Sequence, residues 1–344
     1  MSHFFTIIIP TRKISGILID ETLPAIGNQT FTSFEVIIVS DITGQDDQKL
    51  TKKYPWLRIL SNGAKNRPGD KRDYAAKQAK GEVLAFIDDD VYPSKEWLFQ
   101  AHKILQKEPE IAALGGPGTL PEKVSFWERI FDAVLRTWVG SGSYVYRFQP
   151  QPKRFVDDYP AMNLMLRKEI FASIGGFDNH HWPGEDSKLL NKFIVKEQKF
   201  ILYHPDVQVF HHRRNSLSGH LAQHKNYGKT RGKFAAEGDQ NSVHLMYVIP
   251  AFFTLYLGVL AVLFILKSPY LFTAAIPFFL YCGLLSYVFF ETHLRTENLL
   301  IALGAILVIP ITHVTYGFWF IVGYVREKMT NVTNRQDTKV NNVD

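Results

Sequence analysis

Cysteine is nearly absent from this sequence: one of the 344 residues is a cysteine, Cys282, and it falls inside a long apolar run. No disulfide framework can form within one chain, so nothing opposes a reducing compartment. A strong charge imbalance is also missing, because the formal net charge is only +6. Nucleic-acid binding is therefore a poor explanation of the chain. No apolar run precedes the first predicted strand, so we expect no signal peptide.

Long apolar runs are abundant only in the C-terminal third. Three of them carry almost no charge and cover Val243 to Leu266, Tyr270 to Phe290 and Leu299 to Val325. Each is long enough to cross a hydrocarbon core of about 30 Å. Buried helices of a soluble domain are the alternative. We therefore expect three domains: a cytosolic domain over residues 1–240, three transmembrane helices over 243–326, and a disordered polar tail over 327–344.

The basic residues around these runs give conflicting signals about topology. Lys225, Lys229 and Lys233 precede the first run and favour a cytoplasmic location of the preceding domain in a multi-pass protein of the cell membrane. Three crossings would then leave the C-terminal tail outside, although Arg326 and Lys328 favour the inside.

Three consecutive carboxylates, Asp88, Asp89 and Asp90, end the apolar run Val83 to Ile87. The run is typical of a strand buried on both faces, whose carboxyl end opens into the ligand crevice of an α/β sheet. Hard oxygens clustered there suit Mg²⁺ or Mn²⁺, ions that usually also hold substrate phosphates. The alternative is an acidic loop or helix cap.

Two earlier segments repeat the strand pattern and alternate with helical patterns. The first runs from Phe4 to Ile9 into Pro10, Thr11 and Arg12, and the second from Glu35 to Val39 into Ser40 and Asp41. Strands that alternate with helices indicate a parallel sheet, so these ends should lie beside the aspartate cluster. Asp41 either binds a nucleobase or ribose there or caps the following helix.

In this order, the motifs resemble those of the glycosyltransferase family 2 enzymes. The matching segments are the two strand ends, Lys71 to Glu82, the aspartate cluster, Asn163 to Lys168, Ile174 to Asp178, and Gly184 to Asp186. The resemblance implies an α/β protein with the GT-A fold, a Rossmann-like mixed sheet, followed here by an all-α transmembrane region. It also implies transfer of a sugar from a nucleotide-diphosphate donor with inversion and a divalent cation.

The same resemblance assigns roles to single residues. Pro10, Thr11 and Arg12 at the end of the first strand are expected to bind the donor, as are Asp41, Arg72, Asp88 and Asp89. Asp41 matches the carboxylate near the nucleobase, and Asp88 and Asp90 match the ends of the metal-binding motif, with Asp90 the expected direct ligand. Because three aspartates are consecutive, Asp89 is the alternative. Arg72 matches a basic position that can pair with diphosphate. The next residue is Asp73, where the family often has asparagine.

Asp186 is the expected catalytic base, because an inverting transfer needs one group to take the proton of the acceptor hydroxyl. Glu185, beside it, is a possible contact of the acceptor or the membrane. The alternative is that Glu185 and Asp186 only favour the N-terminus of the helix that follows. His211 follows a short strand and matches a histidine that completes the metal shell in similar enzymes. The alternative is an exposed basic loop that contains His211, His212, Arg213 and Arg214, in which Arg213 could contact donor phosphate or anionic lipid.

An amphipathic stripe with helical spacing lies between the aspartates and the expected base. It consists of Phe126, Trp127, Ile130, Phe131, Val134, Leu135 and Trp138. Such a stripe either packs in the core or lies on a membrane surface, where Trp127 and Trp138 would contact lipid or the acceptor.

The function expected from these residues is a metal-assisted, inverting glycosyltransferase that acts on a lipid-linked or membrane-proximal acceptor. A processive polysaccharide synthase and a polyprenyl-phosphate sugar transferase are the alternatives within the enzyme class. The Gln-x-x-Arg-Trp motif of processive synthases is absent after the expected base. A non-catalytic membrane scaffold is the alternative of another class.

Overall fold

The computed structural model describes residues 3–42, 44–63, 67–177 and 182–340. Asp178 of the quoted motif and tail residues 341–344 lie outside the described residues. The chain forms two compact units. The first consists of residues 1–122 and 146–212, and the second of residues 123–145 and 213–344.

All strands described belong to the first unit and to two sheets. They are β1 (Phe5–Thr11), β2 (Phe34–Ser40), β3 (Leu57–Leu60), β4 (Val83–Ile87), β5 (Val91–Pro93), β6 (Ala113–Gly115), β7 (Gly118–Thr119), β8 (Arg154–Val156), β9 (Asn163–Arg167), β10 (Ile201–Tyr203) and β11 (Val209–His211). Every residue of β1, β2 and β4 is buried, as expected for strands covered on both faces.

The larger sheet is mixed, with the strand order β3-β2-β1-β4-β9-β6-β10-β8. Strands β1 to β4 pair in parallel, whereas β9 runs antiparallel to β4 and to β6. Thr11 stands opposite Ser40 in the register of β1 and β2. The ends of β1, β2 and β4 therefore meet at one edge, which confirms the predicted parallel arrangement.

The helices match the sequence expectations in place more than in length. They are α1 (Leu23–Gly27), α2 (Gln45–Lys53), α3 (Pro68–Gln78), α4 (Trp97–Lys107), α5 (Phe126–Leu135), α6 (Trp138–Ser141), α7 (Lys168–Ser173), α8 (Glu185–Glu197), α9 (Leu217–Glu237), α10 (Leu245–Ile265), α11 (Leu271–Ala274), α12 (Ile276–Thr296) and α13 (Leu299–Val340). A π-helical segment, Leu18–Thr22, precedes α1.

Three helical segments are long and apolar enough to cross a membrane: Leu245–Ile265, Leu271–Thr296 and Leu299–Thr330. The helix α13 continues to Val340 through the segment that the sequence predicts as a disordered tail. Residues 327–340 contain no proline or glycine to interrupt it.

The second unit has its own core, built by α5 and the apolar helices. Ile130, Phe131 and Val134 of α5 pack with residues of α12 and α13, namely Val288, Ile301, Ala305, Val308 and Ile309. In the structure, residues 123–145 and 213–240 thus group with the apolar helices, whereas the sequence suggested a boundary near residue 240.

Candidate active site

The aspartate cluster follows β4 directly, and its three side chains have different partners. Thr11 Oγ1, at the end of β1, donates to Asp89 Oδ2 at 2.5 Å. Burial raises the pKa of Asp89, and the charges of Asp90 and Asp88 raise it further against the hydrogen bond from Thr11. Asp89 therefore connects the cluster to the neighbouring strand.

Asp90 lies beside His211. Nε2 of His211 is 3.4 Å from Asp90 Oδ1. Two backbone features fix this proximity: His211 pairs with Val91 in the antiparallel β5–β11 ladder, and His212 N–H donates to Asp90 O at 3.0 Å. The ring of His212 faces elsewhere and lies 3.2 Å from Glu21 Oε2. One imidazole of the pair thus reaches the aspartate cluster, as the alternation of side chains along a strand predicts.

Arg72, on α3, joins the aspartate cluster to the start of α8. Its Nη2 donates to Asp88 Oδ1 at 2.6 Å and its Nη1 to Glu185 Oε1 at 2.9 Å. Burial opposes its charge, but the carboxylates around it outweigh burial and raise the pKa of Arg72. Burial likewise raises the pKa of Glu185 to about 7, against the opposing effect of Arg72. Glu185 is therefore an internal ion-pair partner, whereas the sequence suggested that it contacts the acceptor.

Asp186 follows Glu185 in the first turn of α8. Gly184, the residue before the first residue of α8, has φ +110°. This conformation favours glycine and lets the chain turn sharply into the helix. Asp186 Oδ1 accepts from the N–H of Ser187 at 2.8 Å, and its side chain is half-buried. A carboxylate at a helix N-terminus is electrostatically stabilised, which suits a group that must be ionised to take a proton.

Asp41, after β2, is bound by Lys71, a residue for which no role is predicted from the sequence. Lys71 is 2% exposed, and its Nζ lies 2.8 Å from Asp41 Oδ2 and donates to Thr11 O at 2.6 Å. Asp41 Oδ1 is buried and has no hydrogen-bond partner among the described residues. An oriented, charge-balanced carboxylate with one unused oxygen is suited to accept from a ligand N–H or O–H. The only sequence signal for Lys71 was its place beside Arg72.

Asp73 has a structural role. Its Oδ1 accepts from the N–H of Phe177 at 2.9 Å. A Cβ at Gly176, where φ is +71°, would lie 2.6 Å from the same oxygen. The Gly-Gly-Phe segment is thus held against α3, and Phe177 in turn packs 5.3 Å from the Arg72 guanidinium.

The other residues predicted to bind the donor lie at the end of β1. Pro10 is buried and stands opposite Val39 in the sheet. Arg12 is exposed just beyond the strand. The sheet therefore brings together the predicted residues Pro10, Thr11, Arg12, Asp41, Asp88, Asp89 and Asp90.

The residues that could hold a divalent cation are Asp90 and His211, which adjoin each other, and Asp88 is bound by Arg72. Among the described residues, no group of three or more His, Cys, Asp or Glu side chains is arranged to hold a metal ion. An oxygen and an imidazole nitrogen at adjoining positions nevertheless fit Mg²⁺ or Mn²⁺, because these ions bind through one or two protein groups when substrate phosphates supply the remaining ligands.

Three predicted contact residues belong to the second unit. Trp127 and Trp138 are 38% and 62% exposed. Arg213 is buried, and its Nη2 lies 2.9 Å from Asp132 Oδ1 of α5. Because a buried cation needs a counter-charge, this guanidinium is held inside the second unit by Asp132. Arg213 is therefore not exposed on an open basic loop, as the sequence suggested.

Comparisons with known proteins point to one family. Residues 6–175 match the model of glycosyl transferase family 2. The poly(ribitol-phosphate) beta-N-acetylglucosaminyltransferase TarS of Staphylococcus aureus is 36% identical over 107 residues, 28% of this chain and 18% of TarS. The glucosyl-dolichyl phosphate glucuronosyltransferase of Haloferax volcanii is 20% identical over 201 residues, 56% of this chain and 63% of the relative. The chain thus spans less than two thirds of either relative.

A solved structure supports the fold over nearly the whole chain. The mannosyltransferase PcManGT from Pyrobaculum calidifontis, in complex with GDP-Man and Mn²⁺, superimposes with a TM-score of 0.55 at 18% identity. The match covers 94% of this chain and 86% of that protein. Through residues 6–175, the chain belongs to glycosyltransferase family 2 and has the GT-A fold.

Proposed function

We propose that this protein transfers a sugar from a nucleoside-diphosphate sugar to a lipid-linked acceptor, with inversion and with the help of a divalent cation. The observation that carries the proposal is the position of Arg72. One buried guanidinium bonds both Asp88 of the aspartate cluster and Glu185, the residue next to Asp186. It therefore holds the donor end and the base end of a reaction site together.

The donor is bound at the sheet edge. The unused Oδ1 of Asp41 accepts from the nucleobase or ribose, and the ion pair with Lys71 holds that carboxylate in place. Thr11 and Asp89, which are hydrogen-bonded to each other, line the site under the diphosphate. Asp90 and His211 would hold the Mg²⁺ or Mn²⁺, which would offset the charge of the leaving diphosphate.

Asp186 takes the proton of the acceptor hydroxyl as that oxygen attacks the anomeric carbon. The new oxygen–carbon bond forms on the side opposite the diphosphate, whose bond to the same carbon breaks, so the configuration inverts. Asp186 stands in the first turn of α8, and a positioned base of this kind contributes typically about 10²–10⁴-fold to the rate.

The lipid-linked acceptor is supported by the three apolar helices. Anchoring in a membrane concentrates a site beside lipid-linked substrates, and the name of the Haloferax volcanii relative includes a dolichyl phosphate glycolipid. Acceptors of this class are a polyprenyl diphosphate-linked saccharide and a polyprenyl phosphate. We place the protein in the cell membrane, with its catalytic unit on the cytoplasmic side.

The test is a screen of nucleotide sugars against the purified full-length protein in detergent, with and without Mn²⁺. The correct donor should raise the unfolding temperature only when the metal is present. At 100 times its dissociation constant it adds about 2.7 kcal/mol to the free energy of unfolding. Transfer is then measured with a radiolabelled form of the stabilising donor. The quantity followed is the label that appears in an organic-extractable polyprenyl product. A protein that binds donor and metal but releases only free sugar would contradict the lipid acceptor.

A further inference from the structure

One side of α13 is covered by helices whose outer faces carry charge. Near its start the cover is α5, because Ile130, Phe131 and Val134 pack on residues 301–309 of α13. A Cβ at Gly304 would lie 2.6 Å from Ile130. On the exposed side of α5 stand Arg129 and the aromatic side chains of Phe126 and Trp127.

Farther along α13 the cover is α9. His220 Nε2 lies 3.0 Å from Thr312 Oγ1, and Cβ atoms at Gly228 and Gly232 would collide with the carbonyl oxygens of Tyr316 and Phe320. Residue numbers rise together in the two helices, so α9 and α13 run side by side in the same direction. The contact extends over about 12 residues, or roughly 18 Å.

The outer face of α9 is polar. Lys225, Asn226 and Lys229 are exposed on it, and Lys225 Nζ lies 4.1 Å from the ring centroid of Trp319 in α13. Lysines exposed to hydrocarbon are costly, whereas Lys and Trp are both favoured at a membrane–water boundary. This part of α13 therefore lies at the boundary and not in the middle of a bilayer.

The opposite side of α13 carries an apolar stripe from Leu303 to Met329. Exposed large side chains recur every three, four or seven residues: Leu303, Leu307, Ile311, Val314, Phe318, Val325 and Met329. Neighbouring helices supply the polar side and α13 supplies the apolar side, so the group of helices together is amphipathic, as a helix that lies in the plane of the membrane surface is.

The two other apolar helices leave α13 and return to it. Near the start of α10, Pro250 and Thr254 would collide with a Cβ at Gly317, and in α12 the hydroxyl of Tyr281 lies 3.0 Å from His313 Nδ1. Between these contacts the chain forms a hairpin, which Tyr256 closes by donating to Ala274 O at 2.8 Å. The outer part of the hairpin is mostly exposed, including Phe264, Ile265 and Phe279.

We propose that α13 is an in-plane helix bound to a single leaflet, and that only the α10–α12 hairpin enters the hydrocarbon. The end of α13 then stays on the same side of the membrane as α9, which replaces the outside location expected from three crossings. The inference depends on the membrane association in the proposed function. The lipid of one leaflet would cover the apolar stripe of α13.

Sidedness is tested with single cysteines in a Cys282→Ser background. Ala222→Cys marks the exposed face of α9, and Thr330→Cys marks the end of the apolar segment of α13; both positions are exposed. A membrane-impermeant thiol reagent should label neither position in intact cells and both after lysis. Labelling of Thr330→Cys but not Ala222→Cys in intact cells would overturn the proposal.

Depth is tested with nitroxide labels at Leu303, Leu307, Ile311 and Phe318 in liposomes, comparing relaxation by oxygen and by a water-soluble nickel complex. The in-plane arrangement predicts nearly one depth for all four labels. A crossing α13 would separate Leu303 from Phe318 by about 22 Å along the membrane normal, and that result would contradict the proposal. A label at Asn226 should report water.

The failure of the proposed function would look different. If both cysteines react in intact cells, the catalytic unit is outside, which contradicts the cytoplasmic location but supports an α13 that does not cross. If alkaline carbonate releases the protein from membranes, neither the anchoring nor the in-plane helix is correct.

Discussion

At the scale of single residues, ion pairs between distant segments build the site. Arg72 bonds Asp88 and Glu185, which are 16 and 113 residues away, and Lys71 bonds Asp41 and the end of β1. The cationic side chains of Arg72 and Lys71 are both nearly inaccessible to water. Each is therefore strongly constrained by the carboxylates that pair with it. Substitutions here should separate donor binding from the chemical step.

Asp186→Asn tests the base. The amide is nearly isosteric but cannot take the acceptor proton, so we expect kcat to fall by at least about 10² with little change in donor affinity. Steady-state transfer assays and calorimetric titration of the donor measure the two quantities. Near-normal turnover would remove Asp186 from the mechanism.

Asp90→Ala tests the metal site, with Asp89→Ala as the matched variant. Asp90 lies beside His211, whereas Asp89 is hydrogen-bonded to Thr11. We expect Asp90→Ala to abolish the Mn²⁺-dependent part of nucleotide binding and Asp89→Ala to weaken it less. The reverse order would move the direct ligand to Asp89.

At the scale of elements, the contact between α9 and α13 depends on glycine. Gly232→Leu inserts a side chain where the backbone of Phe320 already lies, and overpacking typically costs about 1–3 kcal/mol. Gly258→Leu in α10 is the control, because nothing lies within 4 Å of its Cβ position. Thermal unfolding in detergent should show a loss for Gly232→Leu and little change for Gly258→Leu.

The same helix pair should make stability depend on pH. Burial lowers the pKa of His220 to about 3, since its ring stacks 4.2 Å from Phe131. With a folded pKa below the unfolded value near 6.5, stability is fully present above pH 6.5 and is lost as pH falls toward 3.

His220→Gln does not titrate and can keep a hydrogen bond to Thr312. Between pH 7.5 and 5.5 we expect it to lose about 1 kcal/mol less stability than the parent protein, or roughly 2–4 °C in Tm. Parallel Tm profiles for the two proteins would contradict a buried neutral His220.

At the scale of the whole molecule, the two units are interleaved in sequence. The chain enters the second unit at residue 123, returns to the first at 146 and leaves it again at 213. A truncation after residue 240 removes α12 and α13 and so exposes Ile130, Phe131 and Val134. We expect this fragment to aggregate, as exposed apolar patches do.

The matched variant of the truncation carries Ile130→Gln, Phe131→Gln and Val134→Gln. If the uncovered α5 face causes the aggregation, this fragment should be more soluble in size-exclusion chromatography. Equal aggregation of both fragments would assign the cause to another surface.

The sequence by itself determined the elements and the family. Buried strands are recognisable as continuous apolar runs, and polar residues that end parallel strands must meet at one sheet edge. This is why β1, β2, β4 and the position of Asp88 to Asp90 were predictable. The three long apolar helices were equally predictable from length and composition.

Only the tertiary structure decided which side chains are paired and which faces are covered. The partners of Lys71, Arg72 and Arg213 lie 16 to 113 residues away in sequence, and no local pattern specifies such pairs. Likewise, apolar composition cannot tell a crossing helix from one lying on a leaflet. That distinction depends on the charged helices α5 and α9 that pack along α13.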